Sequence, residues 1–376
     1  MVTFSDLNFD ARVTRQLQWL GQDHEVTCVC FEANRSIEGI NWQLISQTPL
    51  TRVRKLFLTL CLLLRFYSLA YRLQHDYIRT LRGLLHTPFD WLIANDIESI
   101  PLVFALKTPH AKVLFDAHEF APRHLEERRW WRVLFKPWHV HLCATYIPQV
   151  DQFCTVSDGL ADEYESMFNR RPVLITNATK YHDLSPSQTS GTIRLIHHGI
   201  VNRSRKLELM MRAAALLGEG YQLDLILMLP ESASAGSKQY LEELKALAAE
   251  LGNVKVLEPM LNKEIVPFIN QYDIGLFLLE PINFNYTFAL PNKLFDFIQA
   301  RLAIAIGPSI EMTKYVEQYA LGIVSKSFDY AEFSEAIASL SYQQIDRAKI
   351  NSHKIAMELS EESNKSRFLS LLKSHV

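Results

Sequence analysis

Short apolar, β-branched runs alternate along the whole chain with longer stretches of helical periodicity, the pattern of strand–helix units that assemble into parallel sheets. Strands are expected at 2–4, 26–31, 91–94, 112–115, 152–156 and 173–176 in the first half, and at 194–198, 223–229, 254–257, 273–279, 303–306 and 322–325 in the second. The two sets are of similar size and flank a polar stretch, HDLSPSQTSGT at 182–192. The expected class is α/β, with two doubly wound domains facing a central cleft: residues 1–185, residues 186–355, and a C-terminal helix over 356–376 that packs back toward the first domain. From Ala336 onward, charged and apolar residues alternate at helical spacing, as surface helices closing the fold would. No repeat with a period of 20–50 residues and no low-complexity tract is visible.

Open parallel sheets hold ligands beyond the carboxyl ends of their strands. Strand 91–94 runs into Asn95-Asp96, strand 112–115 into Asp116-Ala117-His118-Glu119, strand 194–198 into Gly199 and then Asn202-Arg203-Ser204-Arg205-Lys206. Strand 273–279 leads through Glu280 to Leu290-Pro291-Asn292-Lys293. The last segment continues as LPNKLFDFI, where a proline at the first helical turn fixes a helix start whose N–H groups lack intrahelical partners. Those donors and the helix dipole favour an anion, and Lys293 adds a charge. Asn292 and Asp296 are four apart and share a face, so a diphosphate at the helix start and a ribose hydroxyl at Asp296 would use every group. A capped amphipathic helix with a solvated Lys293–Asp296 pair explains the spacing equally well.

Elsewhere the plain alternatives weigh more. The Asp-x-His pattern at Asp116–Glu119 also suits a hydrogen-bonded turn. Asp10 reads first as a helix N-cap, with Arg12 beside it. His197 and His198 point to opposite sides of a strand, which disfavours a metal pair and favours buried strand-end histidines. Asp-x-Asp, HExxH, GxSxG, GxxxxGK[ST] and complete GxGxxG motifs do not occur in the chain, which discounts the chemistries they carry.

Composition narrows the partners. The 376 residues carry 39 Lys or Arg against 41 Asp or Glu, a net charge of −2, which excludes a globally basic nucleic-acid binder. Five cysteines without CxxC spacing, and an N-terminus without a basic stretch and apolar core, fit a reduced, cytoplasmic protein. The run Leu56–Leu64 is too short to span a bilayer. With basic residues at both ends it suits a membrane interface or, as the favoured reading, a buried helix. The segment RHLEERRWWRVLFKPW at 123–138 combines five basic residues with three tryptophans, a composition suited to an anionic membrane surface.

The run PNKLFDFIQARLAIAIGPSIEM resembles the proline-asparagine-lysine block, acidic helix and following strand of the family-4 glycosyltransferases, which have the GT-B fold of two Rossmann-like domains. FDARVTRQLQWLGQDHEVTCVCF, VLFDAHEF, FCTVSDGLADEY, VLITNAT and LIHHGIVNRSRKLELMMRA are similar to further blocks of that family in the same order, covering roughly residues 5–325. The resemblance implies a retaining, metal-independent transfer of a sugar from a nucleotide-diphosphate donor to an acceptor hydroxyl, without a cofactor. It assigns the donor diphosphate to Arg205 and Lys293, with Gly199, Asn202, Pro291, Asn292 and Leu294 around it, and the donor ribose to Asp296. It sets His118 beside the transferred sugar, with Asp10, Arg12, Asp96, Asp116 and Glu119 on the acceptor side. A glycan or lipid-linked acceptor in a bacterial surface polysaccharide or glycolipid pathway is the implied setting, on the cytoplasmic face of the membrane. Three departures stand out: Asp296 where many relatives carry glutamate, Arg301 and Ala303 where a glycine and a proline are usual, and no glycine before Gly21. They leave a silent partner subunit, or a nucleotide-sugar epimerase on the same fold, as alternatives.

Overall fold

Runs of valine, isoleucine, leucine and cysteine form strands, and most return to their sheet through a helix that buries one stripe on it. The structure, a computed structural model, describes residues 1–8, 10–46, 49–75, 77, 81–229 and 233–373. By contact the chain divides into two units: Met1–Thr176 with Asn283–Asn285 and Lys365–Val376, and Asn177–Ile282 with Tyr286–Asn364.

The first unit holds β1 (Val26–Cys30), β2 (Ile40–Leu44), β3 (Trp91–Asn95), β4 (Lys112–Ala117), β5 (Gln152–Thr155) and β6 (Val173–Leu174). All pair in parallel, β1 with β2 and β3 through β6 in sequence order. The strand expected at 2–4 reduces to Val2, which bridges Val29 and Ala94 and so links β1 to β3. Strand β2 was not expected: of INWQL only Ile40 is buried, because an edge strand needs no continuous apolar run. Cys28, Cys30, Ile93, Leu114 and Cys154 pack with Val13, Leu17 and Trp19 of the helix Ala11–Leu20. Phe368 completes this core, its ring 5.5 Å from that of Trp19. It lies on the helix Glu361–Lys373, which joins the first unit from Lys365 onward; the expected C-terminal segment also includes 374–376, outside the described residues. All five cysteines are free and buried.

Two expectations about this unit change. The apolar helix, Arg52–Leu63, is not buried all round: Leu58, Cys61 and Leu62 face inward, and Leu56 is 70% exposed. Hydrophobicity on every side does not create a partner for every side, and only one stripe of this helix finds one. In the 123–138 segment, Trp131 and Trp138 belong to the core, and only Trp130 projects into solvent.

The second unit is one parallel sheet in the order β12-β11-β10-β7-β8-β9, comprising β7 (Ile193–Ile200), β8 (Tyr221–Met228), β9 (Val254–Leu257), β10 (Ile274–Phe277), β11 (Ala303–Ile306) and β12 (Gly322–Val324). The chain runs from β7 outward to β9, then returns to the far side of β7 with β10 and runs outward again. The strand order therefore reverses between β7 and β10, the position where doubly wound sheets open a crevice. Helices Glu208–Leu217, Ala235–Leu251 and Tyr330–Ala338 cover one face through Met211, Leu244 and Phe333. Asn262–Ile269, Asn292–Gln299 and Ile310–Gln318 cover the other through Val266, Phe295 and Met312. Gly275 on β10 permits this closely, since a Cβ there would lie 2.4 Å from the Phe297 ring.

The stretch after Thr176 packs with the second unit, so the units part nine residues before the expected end at 185. Asn177 donates to the Leu290 carbonyl at 3.2 Å, and Arg301 donates to the carbonyls of His182 and Leu184. Arg301 also shows how the chain manages without the glycine usual there. It takes the left-handed conformation (φ +63°) after the helix Asn292–Gln299, and its buried guanidinium bonds the Ile298 and Gln299 carbonyls at that helix end.

Candidate active site

In the second unit the crevice between β7 and β10 gathers the expected anion groups. β7 ends at Gly199, whose φ of +152° favours glycine, and a Cβ there would meet the end of the Lys293 side chain at 2.5 Å. The chain then turns through Asn202, whose side-chain oxygen accepts from the Ser204 N–H at 3.0 Å and shapes the short turn carrying Arg205. Lys293 arrives from the first turn of Asn292–Gln299, with Pro291 at the N-cap rather than inside the helix. Pro291 supplies no capping side chain to this helix start. The Lys293 ammonium lies 5.5 Å from the centre of the Phe277 ring, at the end of β10.

Among the described residues no hydrogen bond or ion pair reaches the ammonium of Lys293, although the residue is only 9% exposed. Burial, with the Arg205 charge next, pushes its pKa from 10.5 down to about 7, against a smaller opposing pull from Asp296. Two buried histidines stay neutral beside it. His197 donates from Nδ1 to the Leu276 carbonyl at 2.9 Å, and burial followed by Lys293 pushes it down to about 3. His198 Nε2 stands 3.4 Å from Asp296 Oδ2, and burial holds it well below its usual range. Buried Lys293 and half-buried Arg205 crowd around the Gly199 strand end, an arrangement of cations that favours an anion.

In the first unit a cavity of about 250 Å³ opens at the ends of β3 and β4, lined among others by Phe4, Asp96, Glu98, His118, Glu119 and Tyr164. Asp96 takes the left-handed conformation (φ +68°) and sets Oδ1 3.1 Å from His118 Nδ1. Burial, reinforced by Glu119, Asp10 and Asp116 and opposed by His118, raises Asp96 to about 6, although its side chain keeps half its surface in solvent, which screens part of that effect. Burial alone would lower His118; the surrounding carboxylates of Asp96, Glu119 and Asp116 outweigh it and raise its pKa. Each group of this close carboxylate–imidazole pair is shifted upward.

Not every expected residue meets these two places. Arg12 and Asp116 form a bidentate pair in the core, both bonds 2.7 Å, and Gln16 and the Cys154 thiol also bond to Asp116. Asp116 is 0% exposed, so its carboxylate ties the fold together and meets no acceptor. Asp10 caps its helix by accepting from Val13 N–H at 3.0 Å. The side chain of Leu294 is core, and its N–H returns to the Pro291 carbonyl at 3.2 Å. Glu119 remains at the cavity, paired with His124. Residues missed in the sequence adjoin this cavity: Glu98, which lines it, lies 3.1 Å from His75 Nε2 and 3.3 Å from His139 Nε2. Burial opposes its charge, but the two imidazoles hold its pKa below the carboxylate range. Glu98 follows β3 by three positions and strand-end logic reaches it; His75 and His139 carry no such signal.

Two doubly wound parallel sheets, each with polar groups at its carboxyl ends, define the GT-B class of fold, and comparison with solved structures agrees. The chain is similar to an α,α-trehalose-phosphate synthase (UDP-forming) from Burkholderia vietnamiensis, with a TM-score of 0.69, 11% identity and 99% of each chain covered. It is similar to Anabaena HepE in complex with UDP and glucose, with a TM-score of 0.67, 13% identity, and 99% of this chain and 98% of that one covered. A third is the E. coli trehalose-6-phosphate protein bound with UDP-2-fluoro glucose, at 0.69 and 10%, covering 100% and 98%. No protein-family model and no curated protein matches the chain.

Proposed function

We propose that the protein is a glycosyltransferase that moves a hexosyl group from a nucleotide-diphosphate sugar to an acceptor hydroxyl, with retention at the anomeric carbon. The convergence of Lys293, Arg205 and the Gly199 strand end on one poorly hydrated point carries this reading. UDP in HepE, a protein of the same fold, supports a nucleotide as ligand. As the glycosidic bond breaks, negative charge grows on the departing diphosphate, and two preorganised cations with the helix start at Asn292 meet it in place of a metal ion. Asn202 shapes the turn that carries Arg205, and Asp296, beside His198, takes the donor ribose. In the first unit His118, held by Asp96, positions the acceptor hydroxyl, with Glu119 at the rim. The acceptor is a glycan or lipid-linked sugar of a bacterial surface polysaccharide or glycolipid, reached at the cytoplasmic face of the membrane, with the basic 123–138 segment against anionic headgroups through Trp130.

The test is calorimetry of the purified chain with uridine, guanosine and adenosine diphosphates and their sugar conjugates, followed by turnover assays. One nucleotide should bind, and Lys293→Ala and Arg205→Ala should each lower turnover by about 10²–10³-fold, the loss of one transition-state charge donor. A folded protein that binds none of the nucleotides would instead be the silent partner subunit; product formed without any acceptor would mark an epimerase.

A further inference from the structure

The helix Arg52–Leu63 and its successor Tyr67–Gln74 present an apolar face that no described part of the chain covers. Val53, Leu56, Phe57, Leu60, Leu63 and Leu64 are 49–70% exposed. Their spacing, 53/57/60/64 and 56/60/63, is that of one helix face, while Leu58, Cys61 and Leu62 anchor the opposite stripe. Phe66 and Leu69 prolong the patch, 59% and 50% exposed. A contiguous apolar surface of this kind on a folded chain marks an interaction site.

Charge identifies the occupant. Arg52, Lys55, Arg65 and Arg72 are exposed around the patch, and residues 49–75 contain no aspartate or glutamate. Arg54, half-buried, ties the two helices by donating to the Leu73 carbonyl at 3.0 Å. A second copy of the chain docked here about a two-fold axis would oppose cation to cation. A bilayer with anionic headgroups accepts both the apolar side chains and the surrounding charge. The helix has 12 residues, about 18 Å at 1.5 Å per residue, and among the described residues no helix is long and apolar enough to cross a membrane. It can therefore lie in the interface and cannot span it. The helix Arg129–Tyr146 packs against it, and Trp130 at the start of that helix is 77% exposed.

We propose that residues 53–69 form a membrane-docking surface that inserts its leucine and phenylalanine side chains into the interface of an anionic lipid bilayer. This does not depend on the sugar-transfer reading. The full-length protein is sedimented with phosphatidylcholine vesicles containing about 30% phosphatidylglycerol, and with phosphatidylcholine alone. Binding should be confined largely to the anionic vesicles and should fall at least tenfold in a Phe57→Asp/Leu60→Asp double variant. Arg52→Gln and Lys55→Gln should each weaken it about fivefold. Because these side chains are exposed, melting temperature and nucleotide binding should be unchanged, which separates failure here from failure of the donor site. The proposal is overturned if the wild-type chain ignores anionic vesicles or the double variant binds them equally well. It is also overturned if light scattering finds a dimer that the double variant splits, since the occupant is then a second copy.

Discussion

Lys293 brings its amino group into a place that water scarcely reaches, where burial weakens its hold on a proton. With a pKa of about 7 in the folded chain against 10.5 ordinarily, it is largely neutral at pH 8. Between those values the unfolded chain holds a proton that the folded chain lacks, so this group's contribution to stability rises with pH across the window. A bound diphosphate reverses the balance by favouring the ammonium. Nucleotide binding at pH 8, above the phosphate's own titration near about pH 6, should therefore take up close to one proton. Affinity should weaken as pH climbs from 7. Calorimetry in buffers of different ionisation enthalpy measures the uptake, and Lys293→Met should abolish it; equal uptake in that variant would assign the proton elsewhere. Lys293, Arg205 and His118 are legible in the sequence because strand ends and block order both point at them. The Glu98–His75–His139 cluster is not, since its imidazoles come from an unremarkable loop and a helix interior and meet only in three dimensions.

At the scale of elements, legibility follows how completely a segment's own residues determine its surroundings. The strands 254–257 and 303–306 are readable to the residue, being short apolar runs bounded by turns. Strand β2 is unreadable, since an edge position tolerates the polar pattern of INWQL. The helix Arg52–Leu63 misleads for a different reason: hydrophobicity states how much surface seeks cover, and only the neighbouring elements decide how much receives it. The Arg12–Asp116 pair shows the same limit, because the motif reads as a site and the packing makes it a tie between helix Ala11–Leu20 and β4. Arg12→Ala should cost about 3–5 kcal/mol, leaving a carboxylate buried without its counter-charge. Replacing both partners together with apolar residues of similar volume should recover most of that loss. Urea denaturation reads both, and a single variant as stable as wild type would show the pair to be dispensable.

For the whole molecule, the division of labour follows the division of the chain: one unit carries the cationic crevice and the other the histidine–carboxylate cavity. Each has its own sheet, yet the first is finished by residues from the far end of the sequence. Phe368→Ala should destabilise the first unit by about 3–5 kcal/mol, visible as an earlier unfolding step, while the second unit's transition keeps its midpoint. A single shifted transition for both would mean that the two unfold as one. The late arrival of Phe368 also has a meaning for biosynthesis. Residues 177–364 must leave the ribosome before the first unit can close its core, an interval of roughly 10–40 s at ~5–20 residues per second. Throughout that time Trp19 and its neighbours lack their last partner. The half of the molecule translated first is thus the half that matures last, and chaperones have their longest opportunity with the nascent N-terminal sheet.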